Sequence, residues 1–292
     1  MKGIILAGGS GTRLYPITQG VSKQLLPIYD KPMIYYPLST LMLAGIKDIL
    51  IITTPEDSLS FKRLLKDGSQ FGINIQYEIQ EKPDGLANAF KIGKEFIGDD
   101  CCAMILGDNI FFGNHFVQQL KEAKDNAEKG FATIFGYKVK DPQRFGIMEF
   151  DENMNVIGLE EKPENPKSYF AITGLYFYSN DVTKYVYDVI PSKRGEYEIT
   201  DLNRIFLEKQ RLKSILFGRG NCWFDTGTFD SLYEASTTIK IFQNSQDILI
   251  CSPEEIAFKN GWINKNELEK ISNTMIKNSY GKYLNNLVRR EK

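Results

Sequence analysis

The chain has 292 residues, of which 42% are hydrophobic and 25% charged, enough for one large α/β domain with accessory structure or for two modest domains. Its 36 basic and 37 acidic residues nearly cancel, so we expect no broad basic surface that would hold nucleic acid or an anionic membrane. No apolar run approaches the ~20 residues of a membrane helix, and the first apolar run is too short for a signal-peptide core.

The cysteine and histidine content further restricts the kinds of catalytic and metal sites that we expect. The four cysteines, Cys101, Cys102, Cys222 and Cys251, form no C-x-x-C pair, which together with the features above predicts a reduced, cytoplasmic protein. The single histidine, His115, begins a predicted helix, and we expect it to be structural. A catalytic triad or a histidine-rich zinc site is therefore not expected.

The first half of the chain alternates strand and helix patterns. Apolar strands are predicted at 2–7, 48–54, 74–80 and 101–106, and helices at 32–45, 56–66, 85–97 and 116–129. Strands that are apolar throughout and separated by helices predict a parallel sheet covered on both faces.

The second half changes character. Residues 131–137, 145–150, 156–160 and 170–178 are rich in β-formers and predict a mixed extension of the sheet. The last fifty or so residues predict helices, with capping boxes at Ser252 and Asn264 and a helix end at Gly261. We expect a catalytic domain over 1–240 and a helical segment for assembly and regulation over 241–292.

The strongest motif follows the first strand, at residues 8–14 (GGSGTRL). A glycine-rich turn after a parallel strand exposes backbone N–H groups to a phosphate. Leu14 stands where a dinucleotide fingerprint needs its third glycine, and the Walker A spacing of Gly3 and Gly8 lacks the Lys-Ser/Thr pair. We therefore predict a phosphate loop of a third kind, with Arg13 supplying the charge. Lys23 could reach the same phosphates, although a lone lysine is more often solvated.

Two aspartates have the setting of metal ligands. Asp108 follows the strand that ends at residue 106, and ligands of open parallel sheets bind at that edge. Asp225 lies in a Gly/Thr-rich turn (WFDTGT), where a simple turn or cap role is the alternative. Magnesium takes one or two carboxylates together with phosphate oxygens and water, so this pair suits Mg²⁺. Glu161 could accept hydrogen bonds from sugar hydroxyls, and Lys162 could neutralise a second phosphate, although such a pair is also common on protein surfaces.

Taken jointly, these motifs resemble the sugar-nucleotide pyrophosphorylases and, within them, the short-form thymidylyltransferases that act on glucose 1-phosphate. The resemblance covers essentially the whole chain, and its motifs lie at 6–14, 22–27, 30–38, 83–87, 107–109, 161–163, 173–178, 194–196, 223–228 and 253–257. It implies a Rossmann-like three-layer nucleotide-diphospho-sugar transferase fold, with a mostly parallel mixed sheet and a helical C-terminal extension.

The same resemblance implies roles for individual residues. The catalytic residues would be Arg13, Lys23, Asp108 and Lys162. The nucleotide would be bound by Leu6, Gly8, Gly9, Ser10, Gly11, Thr12, Arg13, Gln24, Gln80, Gly85 and Asp108. The sugar phosphate would be bound by Gly146, Glu161, Lys162, Ile172, Tyr176 and Arg194, and Mg²⁺ by Asp108 and Asp225. Asn88 and Ile172 depart from the residues that relatives often have, glutamine and valine respectively.

The implied reaction transfers a thymidylyl group from dTTP to glucose 1-phosphate, as the first step toward dTDP-rhamnose or related deoxysugars. A phosphate monoester is mostly a dianion at neutral pH, so it can attack without a general base, in agreement with the single histidine. A uridylyltransferase that uses UTP is the alternative, and a non-catalytic nucleotide-sugar sensor is a more distant one.

The resemblance also implies a homotetramer with feedback inhibition by a dTDP-sugar at a second site. That site would consist of Leu43, Phe112, Gly113, Arg219, Glu255 and Lys259. Glu255 and Lys259 have structural alternatives, as a capping-box residue and as a charge that favours a helix C-terminus. Apolar faces near the C-terminus (Leu268, Ile271, Met275; Tyr283, Leu284, Leu287) are a further reason to expect a partner.

Overall fold

The computed structural model describes residues 1–9 and 11–290, so the predicted nucleotide-binding residue Ser10 lies outside the described residues. The strands are β1 (Lys2–Ala7), β2 (Pro27–Ile28), β3 (Lys31–Pro32), β4 (Asp48–Thr53), β5 (Asn74–Ile79), β6 (Cys102–Leu106), β7 (Asn109–Gly113), β8 (Ala132–Lys138), β9 (Gly146–Phe150), β10 (Val156–Glu161), β11 (Phe170–Tyr178), β12 (Leu212–Leu216) and β13 (Asn221–Asp225). The helices are α1 (Tyr35–Leu43), α2 (Ser58–Leu65), α3 (Asn88–Ile92), α4 (Lys94–Ile97), α5 (Phe116–Glu128), α6 (Val182–Tyr185), α7 (Ile199–Glu208), α8 (Phe229–Gln246), α9 (Pro253–Lys259), α10 (Lys265–Thr274) and α11 (Ser279–Arg290).

A nine-stranded mixed sheet forms the middle of the molecule. Seven strands follow one another in the order β10-β9-β11-β6-β1-β4-β5, and β8 joins β11 to β12. The pairs β1–β4, β1–β6, β4–β5 and β8–β12 are parallel, whereas β11 runs antiparallel to β6, β8 and β9. The predicted parallel first half with a mixed extension is thus confirmed.

The apolar strands are buried on both faces because each face supports a separate core. Along β1, Ile5 packs into one core with α1, α2 and α5, while Ile4 and Leu6 pack into the other with α3, α4, α6 and α7. This alternation is the period of a β-strand, and it explains why β1 has almost no polar side chain. The predicted three-layer α/β fold is confirmed.

The sheet topology places the functional loops at one edge. Leu6 pairs with Leu106 near the carboxyl ends of the parallel strands β1 and β6, so the glycine loop and Asp108 leave the sheet side by side. A separate ribbon of β7 and β13 then pairs Asn109 with Asp225. Residues more than a hundred positions apart therefore meet at this edge.

The predicted helix at 85–97 is wrong as a single helix, because the structure contains α3 and α4 with a break at Gly93. A Cβ at Gly93 would lie 3.0 Å from Ile4 Cδ1 and 3.2 Å from Leu50 Cδ2. The break thus brings the backbone close against the sheet. His115 is exposed at the N-cap position of α5.

The C-terminal helices are confirmed, with two corrections. Asn264 and Glu267 form the predicted capping box of α10, but at α9 only the Ser252 side chain takes its capping role, because Glu255 pairs with Lys259 instead. The apolar faces of α10 and α11 pack against the rest of the chain and do not require a partner molecule. Leu268 and Leu284 are fully buried in the core that α1 and α2 share. Among the described residues, no helix is long and apolar enough to cross a membrane.

Candidate active site

The phosphate loop connects β1 to a short 3₁₀ turn over Thr12–Leu14. Gly9 (φ 103°) and Gly11 (φ 60°) take the left-handed conformations that glycine adopts without strain. Leu14 is fully buried and fixes the end of the loop, and the Thr18 hydroxyl donates to the Gly11 carbonyl at 2.8 Å. A cavity of about 270 Å³ lies over the loop, lined by Gly8, Gly9, Gly11, Thr12, Arg13, Leu14, Lys23, Asp108 and Gly227. The structure thus brings Lys23 together with Arg13 and the glycines of the predicted phosphate loop.

Lys23 and Asp108 form an ion pair at the floor of this cavity. Burial raises the pKa of the Asp108 carboxyl, but the Lys23 ammonium and hydrogen bonds from Lys23 and Asn109 outweigh it, so that pKa lies below its ordinary value. Asp108 is therefore a carboxylate at neutral pH. Lys23, which sequence alone could leave in solvent, instead lines this cavity and pairs with Asp108.

Asp225 faces Asp108 from the neighbouring ribbon. The Thr226 hydroxyl donates to the Asp108 carbonyl at 2.8 Å, which ties the two segments together. Burial and then the charge of Asp108 raise the pKa of Asp225, while Lys23 and Arg13 oppose that rise. Two partly buried carboxylates that repel each other are a donor set that a divalent cation would stabilise. No cluster of three or more candidate metal ligands occurs in the described ranges, so phosphate oxygens and water would complete the coordination.

A second cavity, of about 220 Å³, opens beside the loop and carries two amide side chains, Gln24 and Gln80. It is lined by Leu6, Gly8, Gly9, Gln24, Gln80, Pro83, Gly85, Leu86, Leu106, Asp108 and Glu196. Of the residues predicted to bind the nucleotide, Gln24, Gln80 and Gly85 therefore line this cavity together. We refer to it below as the base cavity.

A third cavity, of about 300 Å³, shares Asp108 with the base cavity and contains the whole predicted sugar-phosphate set. Its lining includes Gly146, Glu161, Lys162, Ile172, Tyr176 and Arg194, together with Arg13 and Asp225. The Thr200 hydroxyl donates to Glu161 Oε2 at 2.5 Å and orients that carboxylate. Arg194 pairs with Glu198 at 2.8 Å and lies 3.8 Å from Glu161.

Lys162 has an unusual backbone conformation, which helps to fix the position of its side chain. Its φ is 44°, a left-handed conformation that costs energy for a residue with a Cβ, and its N–H donates to the Phe145 carbonyl at 3.0 Å. Such conformations persist where the surroundings impose them and concentrate at functional sites. The side chain is half-exposed and borders the third cavity.

Several lining residues of the third cavity were missed by the sequence analysis, among them Arg144, Glu198, Thr200 and Trp223. Glu198 and Thr200 come from the start of α7 and carry no local motif. Only the packing of α7 against β10 brings them to the site, so no signal in the sequence could have found them.

The predicted second site is brought together only in part. Leu43, Phe112 and Gly113 line a cavity of about 280 Å³ with residues of α8, including Phe242 and Gln246. Arg219, Glu255 and Lys259 are not among its lining residues, although Gly220, next to Arg219, is. Glu255 accepts instead from Lys259 at 2.5 Å and from the Tyr283 hydroxyl at 3.2 Å.

Comparisons with known proteins give the family of the chain. The family description "Nucleotidyl transferase" matches residues 2–241. The chain is 59% identical over 290 residues to a glucose-1-phosphate thymidylyltransferase of Neisseria meningitidis serogroup A, covering 99% of this chain and 100% of the relative. It is 50% identical over 290 residues to one of Mycobacterium tuberculosis, with the same coverage.

Solved structures give the same grouping. A Bacillus anthracis protein assigned as a glucose-1-phosphate thymidylyltransferase superposes with a TM-score of 0.76 at 38% identity, covering 87% of this chain and 99% of that one. A UDP-glucose pyrophosphorylase bound to UDP-glucose follows with a TM-score of 0.72 at 26% identity, covering 82% and 98%. On the family match and these full-length relatives, the chain belongs to the nucleotidyl transferase family and, within it, to the glucose-1-phosphate thymidylyltransferases.

Proposed function

We propose that this chain joins dTTP to glucose 1-phosphate, giving dTDP-glucose and pyrophosphate. The observation that carries the proposal is the meeting of two cavities at Asp108. One offers amides for a nucleobase, and the other offers Glu161 for hydroxyls with Lys162 and Arg194 for a phosphate. The phosphate loop lies next to that junction. Membership of the thymidylyltransferases supports the choice of substrates.

The proposed reaction mechanism follows from the charges at the place where the two cavities meet. An oxygen of the sugar phosphate attacks the α-phosphorus of the nucleotide in line, and the bond from that phosphorus to the bridging oxygen breaks, so that pyrophosphate leaves. The attacking phosphate is already a dianion, so the main obstacle is repulsion between two polyanions. Arg13, Lys23 and Lys162 offset it, and catalysis is mostly positioning and charge stabilisation.

Magnesium fits the donor set of this site. Asp108 and Asp225 would hold it, because both are partly buried carboxylates on neighbouring segments, and burial and then the charge of Asp108 raise the pKa of Asp225. Bound there, the ion would supply further positive charge to the phosphate oxygens. Lys23 balances Asp108 from the other side.

We further propose that residues 1–240 carry catalysis and 241–292 serve assembly and regulation. The division lies within α8, whose surface supports an assembly with further copies, since Tyr233 and Ile241 are 74% and 61% exposed. The cavity with Leu43, Phe112 and Gly113 supports a second site for a dTDP-sugar. Light scattering would measure the expected homotetramer.

A uridylyltransferase is the second candidate, because a UDP-glucose pyrophosphorylase shares the fold and thymine and uracil present the same hydrogen-bonding edge. Pyrophosphate release with glucose 1-phosphate should be compared for TTP, UTP, ATP, CTP and GTP. We expect TTP to be best and UTP to be tolerated, because one methyl group is worth about 1–3 kcal/mol. Faster release with UTP than with TTP would assign the chain to the uridylyltransferases, and no release with any nucleotide would favour a sensor.

A further inference from the structure

The two amides of the base cavity converge on Gly8. Gln24 Nε2 donates to the Gly8 carbonyl at 3.4 Å, and a Cβ on Gly8 would lie 3.2 Å from Gln80 Oε1. A side-chain amide can present either its oxygen or its NH₂ group to a ligand. The orientation of Gln80 therefore decides which bases the cavity can pair with.

Asp84 fixes that orientation. Gln80 Nε2 donates to Asp84 Oδ1 at 2.7 Å and to the Gly85 carbonyl at 3.4 Å. A carboxylate and a carbonyl only accept hydrogen bonds, so the NH₂ group has to face them and the oxygen has to face away. None of the hydrogen bonds found in residues 1–9 and 11–290 uses Gln80 Oε1, and Gln80 lines the base cavity.

Asp84 is itself held from two sides. Asn88 Nδ2 donates to both of its carboxylate oxygens at 3.0 Å. The Tyr197 N–H donates to the Asp84 carbonyl at 2.7 Å, and the Ala87 N–H donates to the Tyr197 carbonyl at 3.1 Å. Asp84 is not among the residues that line the base cavity, so it acts on a bound base only through Gln80.

We propose that Asp84 is a positioning residue that holds Gln80 as a hydrogen-bond acceptor and so selects pyrimidines with an N3–H donor. Thymine and uracil carry that donor, whereas cytosine presents an acceptor at N3. The inference rests on the proposed function, since it assumes that the base cavity binds the nucleobase. A site built for one hydrogen bond rejects a base that leaves its buried group unpaired.

The test compares kcat/KM for TTP and CTP in the wild-type chain and in Asp84→Asn. An asparagine can donate as well as accept, so Gln80 becomes free to turn its NH₂ group toward the base. We expect the preference for TTP over CTP to fall at least about tenfold, equivalent to about 1.4 kcal/mol. Glu81→Gln is the matched control, since it makes the same acid-to-amide change at an exposed neighbour of Gln80 that does not line the base cavity, and its preference should stay within about twofold of wild type.

A double-mutant cycle separates positioning from folding. Gln80→Ala should also lower the preference, and adding Asp84→Asn to it should change the preference no further, because Asp84 acts only through Gln80. A further fall in the double variant, or an equal loss of kcat/KM for both nucleotides in Asp84→Asn, would overturn the inference.

Calorimetric binding of TTP and CTP separates the two proposals. If the wild-type chain binds TTP in preference to CTP but releases no pyrophosphate, the proposed reaction is wrong. Loss of that binding preference in Asp84→Asn would then still support the role of Asp84, and its persistence would refute it.

Discussion

At the scale of single residues, the proposed reacting centre combines positive and negative side chains that lie close to one another. Lys23 pairs with Asp108 and keeps it ionised, whereas Asp225 is raised in pKa by its burial and by Asp108. The Arg13 guanidinium lies against Gly227, where a Cβ would meet it at 3.0 Å. These four side chains come from three separate segments, namely the β1–β2 connection, the turn after β6 and the end of β13, so the charge balance depends on the fold and not on any one motif.

Asp225→Asn should lower turnover by at least about a hundredfold, the scale of losing one electrostatic stabiliser of the transition state. The variant keeps the size of the side chain but removes the charge that would hold a divalent ion. Steady-state pyrophosphate release at saturating substrates measures the effect, with thermal unfolding as the check on folding. Asp230→Asn, at an exposed position in the first turn of α8, is the control.

A near-normal rate in Asp225→Asn would contradict the metal assignment, as would undiminished turnover of the wild-type chain in excess EDTA.

Lys162→Ala should raise KM for glucose 1-phosphate by about 10- to 100-fold, because a hydrogen bond to a charged group is worth about 1.5–3 kcal/mol. KM for TTP should change much less, since Lys162 lines the third cavity and not the base cavity. Lys167→Ala is the control, because Lys167 is exposed and pairs only with Glu149 among the described residues, at 2.8 Å. Equal increases in both KM values would give Lys162 a different role.

At the scale of elements, the sequence predicted what local patterns determine. The strand at 2–7 matches β1, and the helices and strands of the first half occur in the predicted order. The ribbon of β7 and β13 was not predicted, because its pairing joins residues far apart in the chain. Asp108 and Asp225 could be predicted as metal ligands because each lies in a recognisable local motif. Thr200 could not be predicted, because only tertiary packing brings it to the site.

For the C-terminal helices, the prediction that their apolar faces contact a partner was wrong. A sequence shows that α11 has an apolar face but not what covers it. In the structure, Leu284 and Val288 join the core beside α1 and α2. The face belongs to the fold of one chain, so the expected assembly now rests on α8 and on the family.

Leu284→Ala should lower the free energy of unfolding by about 2–5 kcal/mol, because it removes a fully buried side chain from a packed core. Ile276→Ala is the control at a 40% exposed position and should cost no more than about 0.5 kcal/mol. Urea denaturation followed by fluorescence measures both. Similar small decreases in the free energy of unfolding for the two variants would mean that packing of α11 into this core contributes little to stability.

At the scale of the whole molecule, the β7–β13 ribbon lies between the proposed reacting centre and the cavity lined by Leu43, Phe112 and Gly113 (the Leu43 cavity). Asp225 ends β13 opposite Asn109, while Phe112 and Gly113 at the other end of the ribbon line the Leu43 cavity. One ribbon thus touches both places. A ligand in the Leu43 cavity could affect catalysis by stabilising one arrangement of this ribbon over another.

Arg219→Ala tests that connection. Arg219 is exposed in the turn before β13, between Gly218 and Gly220, and Gly220 lines the Leu43 cavity. If a dTDP-sugar binds there, its diphosphate would gain from this guanidinium. The variant should therefore keep nearly normal uninhibited turnover while inhibition by dTDP-rhamnose weakens by about tenfold or more, since a charge-assisted hydrogen bond is worth at least about 1.5 kcal/mol. Inhibition constants from initial rates at varied TTP measure the effect, and Lys121→Ala, an exposed cation on α5, is the control. Inhibition that stays competitive with TTP at unchanged strength in Arg219→Ala would place the inhibitor at the active site alone, and the proposal of a second site would then be wrong.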